Sequence, residues 1–196
     1  MFNPRTPDHP INALFIDRWS PRAFDAQDMP KDDLLSMLEA ARWAPSAYNI
    51  QPWRFLYALR GDENWTRFVE ILNPFNASWA QDASALIIVL SDTEMPDDGS
   101  GEAKPSHTHS FDVGAAWVQL ALQATALGYN AHAMAGIEYD VARKSLGVPN
   151  RYQVQIAVAV GKQGDASVLP PELQEREVPS PRLAVAEIAF SGAFPL

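Results

Sequence analysis

The segment that most limits how this chain can fold is FDVGAAWVQLALQATAL, Phe111 to Leu127. It reads as a helix with apolar residues nearly all round, rich in alanine at Ala115, Ala116, Ala121, Ala124 and Ala126. Such a helix must be covered on every side. The chain has 196 residues, 47% of them hydrophobic, enough for one sizeable core, so a single domain over 1–196 is expected. In a chain this short, a second subunit is a natural source of the remaining cover.

Periodicity places the other elements around that helix. Ile11 to Ile16 predicts a short helix with Ile11, Leu14 and Phe15 on one side. Pro30 to Trp43 predicts a longer one, with Asp32 and Asp33 in its first turn and Leu34, Leu38 and Ala41 at three- and four-residue spacing. Trp53 to Leu59 alternates as a strand, Asn64 to Leu72 reads as helical, and the aliphatic run Leu86 to Leu90 suits a strand buried on both faces. Tyr139 to Leu146 is a helix ending at Gly147, and Gln153 to Val160 a strand ending at Gly161. Residues 92–110 hold almost nothing apolar and are expected as an exposed variable loop. The proline-rich tail 165–196 shows no helical pattern, but its apolar end, Ile188 to Phe190, suggests an arm that docks. Strands and helices interleave without a strand, glycine-rich turn and helix in succession, which argues against a Rossmann domain.

Composition narrows the function. With 15 basic and 24 acidic residues the net charge is −9, and without a concentrated basic patch no nucleic-acid partner is expected. Cysteine is absent, which rules out disulfides and thiolate chemistry and fits a reducing compartment. No apolar run is long enough to span a membrane, and the opening MFNPRTPDHP lacks a signal-peptide core, so a soluble cytoplasmic protein with no membrane partner is expected. His107 and His109 sit in the polar loop and are read as solvent-exposed, so no metal site is expected.

Two short segments carry the chemistry. APSAYNIQPW, Ala44 to Trp53, stops a helix and starts a strand. Pro45 and Pro52 bracket residues suited to hydrogen bonding a planar heteroaromatic ligand. RWSPR places Arg18, Ser20 and Arg22 at alternate positions. If extended they face one way and form a clamp for a phosphate and a carbonyl-rich ring, although a solvated helix end fits the same spacing.

RWSPR followed by ARWAPSAYNIQPWRF resembles the opening of the FMN-dependent nitroreductase family. The resemblance continues through FNASWAQDASALIIV, DVGAAWVQLALQATALGYN and MAGIEYDVARKSLGVP, over roughly residues 11 to 194. It implies an α+β fold with a central, mostly antiparallel sheet flanked by helices. It also implies an intertwined homodimer with a long central interface helix and a C-terminal arm exchanged between subunits. By the same resemblance Arg18 and Ser20 hold the FMN phosphate and ribityl chain, with Trp19 between them in the cofactor set, and Arg22 reaches the pyrimidine end. A cation there favours the anionic reduced flavin. Pro45, Ser46 and Asn49 match residues donated across the dimer. Asn76 matches a pyrimidine-edge amide, though it reads equally well as a cap before Trp79. Ala135 and Gly136 match backbone close to flavin N5, where a small residue is needed, and Arg182 fits a phosphate contact.

The activity this implies is hydride transfer from NAD(P)H through the flavin to an electron-poor small-molecule acceptor such as a nitro compound or quinone. One pocket serving both half-reactions implies ping-pong kinetics and no dinucleotide fingerprint. No side chain is assigned as catalytic. Other reactions remain open on the same fold: enone or aldehyde reduction, dehydrogenation, flavin breakdown, or flavin carriage without turnover.

Overall fold

All eight residues of one strand, Ala85–Asp92, are buried, as a doubly covered strand requires. The computed structural model describes residues 3–97 and 99–195. The domain 1–196, the loop 92–110 and the arm 165–196 therefore each include a residue (1, 2, 98 or 196) that lies outside the described residues.

In chain order the elements are α1 (Ala13–Asp17), α2 (Lys31–Arg42), β1 (Trp53–Leu59), α3 (Trp65–Glu70), α4 (Pro74–Ala80), β2 (Ala85–Asp92) and α5 (His109–Ala126), followed by β3 (Asn130–Met134), α6 (Tyr139–Ser145), β4 (Tyr152–Gly161), α7 (Pro171–Gln174) and α8 (Val185–Ile188). The sheet order is β1-β2-β4-β3, and every pair is antiparallel. Because strand side chains alternate, β2 sends Leu86, Ile88 and Leu90 into one core and Ala85, Ile87 and Val89 into the other. The first core packs the β2 and β4 side chains against Phe68, Ile71 and Trp79 from the α3–α4 region. The second packs them against Leu34, Met37 and Ala41 of α2 and Val113, Ala116 and Leu120 of α5. Each fully buried Leu or Ile contributes about 1.5–3 kcal/mol.

Helix α5 covers the sheet with one face and leaves the other bare. Val113, Ala116, Leu120, Ala121 and Ala124 are buried, whereas Phe111 is 82% exposed and Val118 is also exposed. The helix stops where Gly128, at φ 79°, takes the left-handed conformation and donates its N–H to Thr125 O.

Several boundaries differ from those expected, among them the start of α1 at Ala13 instead of Ile11. Strand β2 runs through Asp92 and α5 begins at His109, so the connection is 93–108. The half-buried His109 accepts or donates through Nδ1 with Ser91 Oγ at 2.8 Å, which draws the helix start inward. The tail is not free of helix: Pro171 starts α7, and Glu187 Oε2 accepts the Ala184 N–H at the start of α8. Two unexpected elements, α4 and β3, lie at the site described next.

Candidate functional site

After α1 the chain turns extended at Arg18, with φ −63° and ψ 115°, and Arg18 Nη1 lies 3.3 Å from Ser20 Oγ. Alternate residues of the segment therefore do share a side. Trp19 is buried, whereas Arg18, Ser20 and Arg22 are half-buried. Burial, and then the charge of Arg182, lower the Arg18 pKa. Arg5, from the N-terminal strap, is lowered by burial and then by Arg182 and Arg18. Three guanidinium groups from residues 5, 18 and 182 thus share one field, and among the described residues none of them makes an ion pair with a carboxylate. Cations left in that state suit an anion.

The other end of RWSPR is held by groups that the sequence reading overlooked. Glu177 is buried, and its Oε1 accepts the N–H of Arg22 at 2.7 Å and of Ala23 at 2.8 Å. His132 on β3 donates from Nδ1 to Pro21 O at 2.9 Å and packs on Trp79 at 4.7 Å between ring centroids. Burial pushes its imidazole down to about 4, against hydrogen bonds to backbone that raise it. His132 is therefore neutral at pH 7 and holds backbone instead of adding charge. Arg22 Nε is buried with no hydrogen-bond partner among the described residues, a donor left for an acceptor. Its pKa is lowered by burial and by Arg176 and raised by Glu177.

Helix α4 brings Asn76 to the chain just beyond β3. Pro74 at the first turn and the Asn73 side chain, accepting the Asn76 N–H at 2.8 Å, start the helix. Buried Asn76 donates Nδ2 to Gly136 O at 2.9 Å, and Asn73 N donates to the same carbonyl at 3.1 Å. A Cβ on Gly136 would lie 2.5 Å from Nδ2 of both Asn73 and Asn76, so a larger residue there must displace one of these amides. Ala135 beside it is exposed. The cap of α4 is therefore Asn73 and not Asn76, whose side chain instead bonds Gly136.

Pro45, Ser46 and Asn49 stand apart. Tyr48, Asn49 and Gln51 have φ near 50°, a left-handed cluster costly for non-glycine residues. The loop is held by Gln51 N donating to Ser46 Oγ at 3.0 Å and by Ala47 N donating to buried Asp112 on α5 at 3.2 Å. Asn49 is exposed, and Tyr48 is 91% exposed beside the bare face of α5 that carries Phe111. Among the described residues, no hydrogen bond joins this loop to the arginines or to Gly136 within one subunit. Arg182 is exposed and donates Nη1 to its own Ser180 and Pro181 carbonyls. A cavity of about 790 Å³ lies between the N-terminal strap and the C-terminal arm, with Arg5 and Arg182 in its wall and Asn76, Ala135 and Gly136 outside it.

Known proteins bear on this arrangement. The Nitroreductase family model matches residues 16–73 and 62–162, a span that includes RWSPR, Asn76 and Gly136. The chain belongs to the nitroreductase family. A solved oxidoreductase containing FMN is 51% identical, with a TM-score of 0.96, over 100% of this nitroreductase chain and 98% of its own. An uncharacterized 15.4 kDa protein of Mycolicibacterium smegmatis is 36% identical over 71% of the chain and 95% of its own length. An enone reductase of CLA biosynthesis from Lactiplantibacillus plantarum is 28% identical over 76% of the chain and 83% of its own length.

Of the overlooked residues, Arg5 lies outside the span of the family match and His132 interrupts a run of small residues. Only the alternation of Ala131, His132 and Ala133 before Met134 signals a strand there.

Proposed function

We propose that this nitroreductase is an FMN-dependent oxidoreductase that passes a hydride from NAD(P)H to an electron-poor acceptor, a nitro compound or quinone, and works in the cytoplasm as a homodimer. The carrying observation is the convergence of arginines from both ends of the chain, tied through the Ser180 carbonyl and, among the described residues, without carboxylate partners. Arg18, Ser20 and Arg182 hold the phosphate, and Arg22, with its orphaned Nε, serves the pyrimidine end. Because Asn76 Nδ2 is engaged by Gly136 O, its Oδ1 remains for the ring, which makes it an acceptor of a ring N–H. Ala135 and Gly136 keep the backbone thin at the reacting edge, and no side chain is assigned proton transfer.

When bound, FMN supplies two-electron chemistry, accepting a hydride from NAD(P)H and yielding it to the acceptor. Domain extent 1–196, with the polar connection as a variable cover and residues 165–196 as an arm, completes the reading. The bare face of α5, the exposed loop at Tyr48 and Asn49, and exposed Val185, Ile188 and Phe190 on the arm support dimerisation. In the dimer, Pro45, Ser46 and Asn49 serve the site of the partner subunit.

Steady-state rates with NAD(P)H and a quinone should give parallel double-reciprocal lines, and intersecting lines would exclude a shared pocket. Enone reduction is the second reading, favoured by the Lactiplantibacillus relative. Ranking kcat/KM over nitroaromatics, quinones and enones separates the two.

A further inference from the structure

Arg5 lies in the strap before α1, outside the span of the family match, yet its side chain bonds three backbone carbonyls around the arginines. Its Nη1 donates to Ile16 O at 3.0 Å and to Arg18 O at 2.8 Å, and its Nε donates to Ser180 O at 2.9 Å. Arg182 Nη1 donates to that same Ser180 carbonyl at 3.2 Å. One planar fork therefore ties the main chain of Arg18 to the segment that carries Arg182, with Arg5 reaching Ser180 across 175 residues of sequence. The strap is itself anchored on both sides. Asn3 Nδ2 donates to Ile16 O at 3.1 Å, and Asp8 Oδ2 accepts the Val185 N–H at 2.7 Å.

We propose that Arg5 is a positioning residue for the phosphate end of the site, setting Arg18 and Arg182 at the spacing that lets both face one phosphate dianion. The assignment rests on the FMN reading above. The three like charges repel in the free protein: after burial, the charge of Arg182 lowers the pKa of both Arg5 and Arg18, and Arg18 lowers that of Arg5. Arg5 holds its neighbours by backbone hydrogen bonds in spite of that repulsion, so the cation cluster is built before the anion arrives. Its own charge adds to a local positive field in a chain of net charge −9. A staple that only joined the termini would affect every flavin alike; a phosphate-positioning residue distinguishes FMN from riboflavin, which lacks the phosphate.

The test is titration of deflavinated full-length protein, wild type and Arg5→Gln, with FMN and with riboflavin, read by quenching of flavin fluorescence. Arg5→Gln should weaken FMN by about tenfold or more and riboflavin by less than about twofold, the loss expected for a misplaced charged contact. Equal weakening of both flavins, or of neither, overturns the proposal. If Arg5→Gln is insoluble, Arg5→Lys keeps the charge but loses the fork, and the same FMN-selective loss or its absence decides. Wild-type protein binding FMN no more tightly than riboflavin would instead remove the cofactor reading beneath it.

Discussion

Gly136→Ala is the substitution whose consequence the structure defines most closely. The added Cβ would stand 2.5 Å from Nδ2 of Asn73 and of Asn76, and 3.1 Å from Asn73 Cγ. Side-chain ends can usually swing aside, but these two are held. Asn73 Oδ1 caps α4 by accepting the Asn76 N–H, and Asn76 Nδ2 is bound to Gly136 O. Relief therefore means losing one of these bonds, at about 0.5–1.5 kcal/mol, on top of overpacking at about 1–3 kcal/mol. The sum, about 2–4 kcal/mol, corresponds in a chain of this size to a fall in Tm of about 5–15 °C. Thermal unfolding of the flavin-free protein by circular dichroism measures it. Asn76→Ala removes one of the two obstructing amides, so the double variant should be less destabilised than the sum of the singles by about 1 kcal/mol. A Gly136→Ala protein melting within about 1 °C of wild type, or strict additivity in the double variant, would refute the close packing of α4 on Gly136.

Three further outcomes are expected. Arg18→Ala should fold but purify largely colourless, with FMN affinity down by about tenfold or more; a fully yellow protein contradicts the phosphate role. His132 gives a pH dependence: the unfolded chain binds its proton near 6.5 and the fold only near 4, so stability is complete above 6.5 and declines as pH falls toward 4, by up to about 3 kcal/mol. Denaturant titrations should show a flatter acid limb in His132→Gln, and identical slopes in the two proteins would exclude the buried imidazole as the source. Excising residues 96–103, within the span closed by the Glu94–Pro105 bridge, should change acceptor preference more than FMN affinity; an unchanged preference means the connection is no cover.

Where hydrophobic period and burial coincide, sequence was sufficient. Of the α2 residues expected at helical spacing, Leu34 and Ala41 are buried and Leu38 packs half-buried beside them, with Met37 also buried, and β2 is apolar because both its faces are covered. Strand β3 is hard to read because it is short, lies at the sheet edge, and carries Asn130 and His132 among alanines, so its two-residue alternation is weak. Helix α4 was hidden because its stabilising contacts, Asn73 to Asn76 and Asn76 to Gly136, join residues up to sixty positions apart. At the site, RWSPR was legible since its alternation is local. Arg5 and Glu177 were not: each acts on backbone more than ten residues away, through hydrogen bonds that leave no local trace. The connector at Tyr48 was read as polar, whereas its structural mark is three left-handed residues that composition does not announce.

The central claim is that this chain binds FMN and turns it over with a nicotinamide donor. Its most direct test is anaerobic mixing of the flavin-loaded protein with NADH and with NADPH, followed by addition of a quinone. At least one donor should bleach the yellow flavin within the mixing experiment, and the quinone should restore the colour. Colour that persists with both donors would make the protein a carrier of flavin and contradict the oxidoreductase reading.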